Sequence, residues 1–441
     1  MKNRFFKYVS QNILAMIGLS LYILADTYFI SKAVGANGIT ALNMALPVYG
    51  VIFALGQMVG VGSAIRYSIV KEQYRNSNKD GSNECDKYFS GALFWGLVIG
   101  VIFAVLGLVF PDKIVEIMGG DETIVAIGVP YFRIFMSFSP FFIFNYTCNA
   151  FVRNDGNPSV SMAATLISSL FNIVFDYILM FPLGMGMLGA ALATALSPVV
   201  GVMICMIHFL SKKNTVKFKW FKTSLTRLFH CCQVGMSAFV GEMSGAVIVM
   251  VFNFIILRLT GNIGVAAYGV VANTALVAVA VFNGVALGSQ PLISESYGKH
   301  NIKDIKLIEK LGVATALGLA VIIVIMIWGF TDTIVGVFNS QGSDRLLSLA
   351  RVGLRIYFIG FLFAGINIFC SSALSAIASV KWAFVLSILK GFVVVNVCAA
   401  ILAPIFGMNG VWVAFPLSEF ILLIISGFAM KKSIGALESE R

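Results

Sequence analysis

Charge is scarce in this 441-residue chain. Asp, Glu, Lys and Arg make up 12% of it, about half the share of a soluble domain. With 59% hydrophobic residues and a mean hydropathy of +0.92, an ordinary water-soluble fold is excluded. Histidine is nearly absent: His208, His230 and His300 stand alone, so no metal cluster is visible. The seven cysteines form no CxxC pair. Cys148, Cys205, Cys370 and Cys398 lie in apolar runs and read as small buried hydrophobes. HExxH, GxSxG and a Walker loop are all missing, which removes the usual signatures of metallohydrolase, serine-hydrolase and ATPase chemistry. The chain is therefore expected not to be an enzyme and to need no cofactor. No small-residue cleavage site follows the basic opening MKNRFFKYVSQN, which is read as retained. The first apolar run, starting QNILAMIGLSLY, has no early proline, and Gly18 is its nearest flexible point.

Apolar runs long enough to cross a bilayer as helices recur from end to end. They predict an all-α polytopic membrane protein with twelve spans. The first six lie at about 11–33, 38–70, 88–110, 121–150, 158–181 and 186–210. The second six lie at about 228–257, 264–290, 309–331, 344–375, 380–402 and 408–430. The net charge of +11 is read as positive-inside bias, not as a nucleic-acid surface. With both termini cytoplasmic, most basic residues fall inside, including Lys79, Lys222 and Arg441; only Lys32, Lys113, Arg258, Arg345 and Arg351 fall outside. The longest basic loop, SKKNTVKFKWFKTSLTR (211–227), separates equal halves. The expected domains are thus 1–210, a cytoplasmic linker 211–227, and 228–441. The linker is either an ordinary positive-inside loop or one that touches anionic headgroups.

The halves match internally. Gly35, Gly38 and Ala41 fall on Gly261, Gly264 and Ala267, and Gly62-Ser63 on Gly288-Ser289, all displaced by 226 positions. Further on, Asp112 with Ile114-Val115 pairs with Asp332 and Ile334-Val335, and Cys148 with Cys370. Six crossings return the chain to its starting side, so the repeats are parallel, which commonly places a substrate path between two bundles. A transporter working by alternating access leads over a channel or an embedded enzyme.

Against this apolar background, FNIVFDYILMF (171–181) carries Asp176. A charge at mid-membrane costs at least about 2.5–3.5 kcal/mol, so such residues read by default as functional. Four acids lie well inside spans: Asp26, Asp176, Glu242 and Glu419. The alternative for each is a packing hydrogen bond or a salt bridge to an in-span base such as Arg133 or Lys390. Asp26 and Asp176 sit at matching depths, roughly 8–11 Å below the outer surface at 1.5 Å per residue. Thr194 falls at about the same level, roughly 12 Å into the sixth span. Asn172 shares a helix face with Asp176 at i, i+4. Two carboxylates, an amide and a hydroxyl suit a proton or a small hard cation such as Na⁺. The carboxylates compete for charge in a dry layer, so the pair is expected to exchange protons. Glu242, Glu419, Asn43 and Gln290 are candidates for lining a substrate cavity.

These residues resemble the multidrug and toxic compound extrusion (MATE) family. The resemblance rests on LYILADTYFISKAVGANGITALNMALP (21–47), on RNDGNPSVSMAATLISSLFNIVFDYILMFPLGMGMLGAALATALS (153–197), on GVALGSQPLISESYGKHN (284–301) and on the six-plus-six layout. It implies two six-helix bundles and secondary active efflux of hydrophobic, often cationic compounds in exchange for H⁺ or Na⁺. The family's N-terminal cation site falls on Asp26, Asn172, Asp176 and Thr194. Of the acids used in its C-terminal half, Glu242 matches one and the tenth-span acid is missing. The expected setting is the cytoplasmic membrane, with small amphiphilic molecules and lipids as partners and no nucleic acid. Two bundles in one chain need no second copy, so a monomer is expected. A flippase for lipid-linked sugars, found in the same superfamily, is the alternative. It would favour several in-span Arg or Lys residues where this chain places acids.

Overall fold

In the computed structural model every described residue outside loops is helical. The description covers the chain except 78–80, 222–223, 339–342 and 440–441, together with the side chain of residue 36. Lys79, Lys222 and Arg441 therefore lie outside the described residues.

Nine helices are each long and apolar enough to be a single span: Lys2–Ala33, Asn37–Asn76, Ser82–Val109, Pro158–Met180, Gly186–Phe209, Ile302–Gly329, Asp344–Ala376, Val380–Phe406 and Met408–Ser439. The pair Glu122–Ser137 and Ser139–Asn154, bent by 46°, makes another crossing. The remaining helix, Leu225–Gly298, has 74 residues. At 1.5 Å per residue it would be about 110 Å long, more than three times the hydrocarbon thickness. It is broken at Gly261, where φ is 67° and ψ −158°, and so supplies two crossings. Twelve crossings result among the described residues.

The break repeats between the first two spans. Gly35 has φ 81° and ψ −157°, and it is the partner of Gly261 in the 226-residue repeat. This backbone region is essentially closed to residues with a Cβ. The repeat is visible again outside the long spans: Val115 lies in the short helix Pro111–Ile117 and Val335 in Thr331–Phe338, both fully buried.

Several helices run further than hydropathy predicts. The first begins at Lys2, not near residue 11, because Phe5, Tyr8 and Val9 are buried at helical spacing while charged neighbours lower the average.

Packing forms two compact units, residues 14–242 and residues 1–13 with 243–441. Sequence reasoning expects boundaries at 210 and 228, while packing divides the chain inside the first helix of each half. In one unit a Cβ at Gly62 would fall 2.1 Å from the Cys231 carbonyl oxygen; in the other a Cβ at Gly288 would fall 2.7 Å from Val9 Cα. These repeat-related glycines let a helix backbone approach closely where any side chain would hold it away. Each unit has an aromatic core. Tyr49 stacks on Phe135 with centroids 3.7 Å apart in the first, and Tyr357 on Phe415 at 4.1 Å in the second.

Candidate ion and substrate sites

The fifth span owes its orientation to one stripe of small and polar residues. Ser161, Ala164, Ser168, Asn172, Asp176 and Met180 are buried at spacings of three and four, so they share one face. That face meets the sixth span. Ser197 Oγ donates to the Ser168 carbonyl at 2.9 Å, and a Cβ at Gly189 would sit 3.0 Å from the Leu179 backbone. Asn172 Nδ2 donates to Thr194 Oγ1 at 3.3 Å. The first span approaches through Gly18, where a Cβ would meet Leu166 at 2.5 Å. Eight residues on, Asp26 is 7% exposed.

Asn172, Asp176, Thr194 and Asp26 thus collect in one buried place. The two carboxyls lie within hydrogen-bond reach of each other. Neither oxygen of Asp176 receives a hydrogen bond, and Asp26 Oδ1 and Asn172 Oδ1 receive none either. Ionised carboxylates are acceptors only, so two of them facing each other are joined only by a proton or a cation. Asp176 and Asn172 are fully buried, which makes missing partners costly.

Three tyrosines border this place. Tyr22 and Tyr131 lie within electrostatic range of both carboxyls, and the Tyr49 and Tyr131 hydroxyls are 3.3 Å apart. Sequence reasoning did not single them out. Tyr22 carried a signal, one helical turn before Asp26; Tyr49 and Tyr131, from other helices, carried none.

The sequence profile of the MatE family matches residues 12–178 and again 238–405, starting 226 residues apart. The chain belongs to the MatE family. It is a membrane transporter and not an enzyme. The multidrug export protein MepA of Staphylococcus aureus (strain bovine RF122 / ET3-1) is 26% identical, over 92% of this chain and 88% of its own length. MepA of Staphylococcus saprophyticus is 24% identical, over 89% and 85%. A solved outward-facing structure of a multidrug resistance MATE family transporter of the MOP superfamily superposes with a TM-score of 0.92 at 22% identity, covering 99% of this chain and 96% of that one. A Pyrococcus furiosus MOP superfamily transporter, described as having a binding pocket of reversed polarity, gives 0.89 at 22% identity, covering 98% and 96%.

Of the other candidates in this MatE chain, Asn43 and Glu242 lie in the unit of residues 14–242 and Gln290 and Glu419 in the other. Glu242 is exposed and accepts a hydrogen bond from Gln57 Nε2 at 3.0 Å, with Tyr146 in electrostatic range. Glu419 is 3% exposed. Asn367 Nδ2 donates to its Oε2 at 2.7 Å and to its backbone carbonyl at 2.9 Å, and Ser426 donates to Asn367 Oδ1 at 2.6 Å. Lys390, on the π-turn Leu389–Val393, lies in electrostatic range of Glu419. These are the packing bonds and the basic neighbour that the bland alternative for an in-span acid calls for. Asn43 is exposed. Gln290 is 3% exposed, and its Oε1 has no hydrogen-bond partner. Among the described residues no group of three His, Cys, Asp or Glu converges on a metal-sized space.

A network that sequence reasoning missed lies at the end of the fourth span. Asp155 accepts from Tyr67 OH at 2.5 Å, Lys71 Nζ at 2.8 Å, His208 Nε2 at 2.9 Å, the Thr215 amide at 2.9 Å, and the Thr215 hydroxyl. His208 was read as isolated because its partners are 51 and 53 positions away: Asn157 and Asp155. Thr215 belongs to the basic linker, so the network fixes that segment to the helices of residues 14–242.

Proposed function

We propose that the chain exports hydrophobic, often cationic small molecules across the cytoplasmic membrane in exchange for H⁺ or Na⁺. It works by alternating access, as a monomer with both termini cytoplasmic. The observation that carries the coupling part is the buried carboxyl pair Asp26–Asp176, in which both Asp176 oxygens and Asp26 Oδ1 have no donor. An arriving proton or small cation relieves the repulsion and gives these oxygens a partner; Asn172 Oδ1 and Thr194 Oγ1 add neutral oxygen ligands. When the ion leaves, two like charges face each other in a dry place. Loaded and empty pairs therefore favour different helix arrangements, which is the differential binding that any coupled conformational change requires. Each Asp has a separate part: Asp176 holds the ion deepest, and Asp26, on the first helix, passes its presence to that helix.

The export direction and substrate class are supported by the MepA relatives, named multidrug export proteins, which match about nine-tenths of this chain. Glu242 suits a cationic substrate, since its exposed carboxylate stands near Tyr146, whose ring is 5.5 Å from that of Phe53. A carboxylate beside aromatic faces attracts an organic cation. The test is export of a cationic dye from liposomes holding the purified protein, with a proton gradient or a Na⁺ gradient imposed separately. Export driven by one of them is expected. Absence of export under both, together with movement of a lipid-linked sugar analogue, would overturn the reading in favour of a flippase.

A further inference from the structure

A cavity of about 690 Å³ opens where the basic linker crosses the third span, wholly within residues 14–242. Its size is that of an ordinary small-molecule site, about 300–1,000 Å³. One wall is apolar, formed by Leu93, Leu97, Phe144, Val202 and Met206. The rim is basic: Lys87, Lys217, Lys219 and Arg227 line it, and no Asp or Glu does. The linker is fastened along this rim by its backbone. The Lys217 amide donates to Asp86 Oδ1 at 2.8 Å, and the Lys219 amide to Ser90 Oγ at 3.0 Å.

The charges do not cancel. Lys219 Nζ pairs with Asp86 at 2.7 Å, and Lys87 and Arg227 share Glu84. The Lys217 side chain is exposed and has no ion-pair partner among the described residues. Four bases thus stand against two acids. Beside them Trp220 is 85% exposed and Phe218 49% exposed, with their rings edge to face at 5.4 Å. Exposed aromatics next to lysines are what the headgroup level of a bilayer selects.

We propose that this cavity binds one anionic phospholipid, its phosphate on the rim at Lys217 and an acyl chain on the apolar wall. The surplus of positive charge disfavours an organic cation there. A soluble anion would make no use of the apolar wall. The occupant would lie against the linker, the third span and Arg227 at once, bracing a connection that protein contacts alone leave hollow.

Trp95 and Trp220 both line the cavity, so tryptophan quenching reports on it. The full chain is placed in phosphatidylcholine nanodiscs containing rising fractions of either phosphatidylglycerol or phosphatidylcholine with brominated acyl chains. Two surplus charges, at about one lipid-attraction increment each, predict half-quenching at an about ten- to thirtyfold lower fraction of the brominated phosphatidylglycerol. Lys217→Glu changes the rim charge by two, cancels the surplus, and should bring the two lipids to about equal quenching. Gly91 lines the cavity, and a Cβ there meets nothing within 4 Å; Gly91→Leu should fill the space and remove the saturable quenching. Equal quenching by the two lipids in the parent protein would overturn the proposal whatever the variants do. A preference that survives both variants would also overturn it. Reversal of the quenching by millimolar inorganic phosphate would assign the rim to a soluble anion and reject the lipid.

Discussion

Removing Asp155 should free the basic linker. Five donors converge on this one carboxylate, and Tyr67, His208 and the Thr215 amide reach it from separate segments. Tyr67 is fully buried and His208 is 1% exposed, so neither finds water when the acceptor goes. Breaking a buried charged contact from one side costs about 3–5 kcal/mol. If that cost falls on the linker contact, the detached state rises about 10²- to about 4 × 10³-fold at 1.4 kcal/mol per tenfold. The assay is limited trypsin digestion of the detergent-purified protein, following cleavage after Lys217 and Lys219. Proteolysis follows the open population when opening is fast relative to cleavage. Asp155→Ala should therefore be nicked at these lysines far faster than the parent; unchanged cleavage would refute the reasoning. The pH dependence has a definite sign. Burial opposes ionisation of Asp155, but the His208 hydrogen bond and the Lys71 ammonium outweigh it and hold the carboxyl below the usual carboxylate range. A lowered carboxyl contributes stability that is complete above the ordinary value of about 4 and is lost as pH falls through the folded one. The linker should stay protected through neutral pH and become cleavable only in acid, as read with an acid-active protease.

Three other substitutions test the packing and the substrate face. Gly261→Ala places a Cβ in a backbone region that essentially only glycine occupies and should cost about 1–3 kcal/mol; a thermal midpoint in detergent equal to the parent's would contradict this. Gly62→Ala forces a Cβ to within 2.1 Å of the Cys231 carbonyl and should destabilise by about 1–3 kcal/mol, read as the same midpoint shift. Glu242→Gln should weaken export of cationic dyes more than of neutral ones; equal losses would make Glu242 structural or part of ion coupling.

Much of this molecule was legible in its sequence, for reasons that differ by feature. Spans are visible because each must be apolar for about 20 residues. The 226-residue repeat showed because Gly35 and Gly261 share one backbone requirement, and Gly62 and Gly288 share one close approach. Asp26, Asn172, Asp176 and Thr194 stood out together because polar groups are rare at that depth and helical spacing relates two of them directly. What stayed hidden was contact between distant segments. The Asp155 network joins residues 67, 71, 155, 208 and 215, and no local pattern links them. The opening residues were set outside the first span because Lys2, Arg4 and Lys7 lower its hydropathy. Yet Phe5, Tyr8 and Val9 bury one face of the same helix. Nothing local to Glu419 points to Asn367, 52 positions away, whose amide donates to its carboxylate.

In the proposed mechanism Asp176 holds the coupling ion. The most direct measurement is gradient-driven dye export in proteoliposomes, with Asp176→Asn beside the parent at equal protein content and equal monodispersity. An amide of the same shape keeps the packing of this fully buried position but cannot alternate between charged and neutral forms. Export driven by the proton or Na⁺ gradient should be lost in the variant while the protein remains folded in the membrane. Export at the parent's rate would contradict the account.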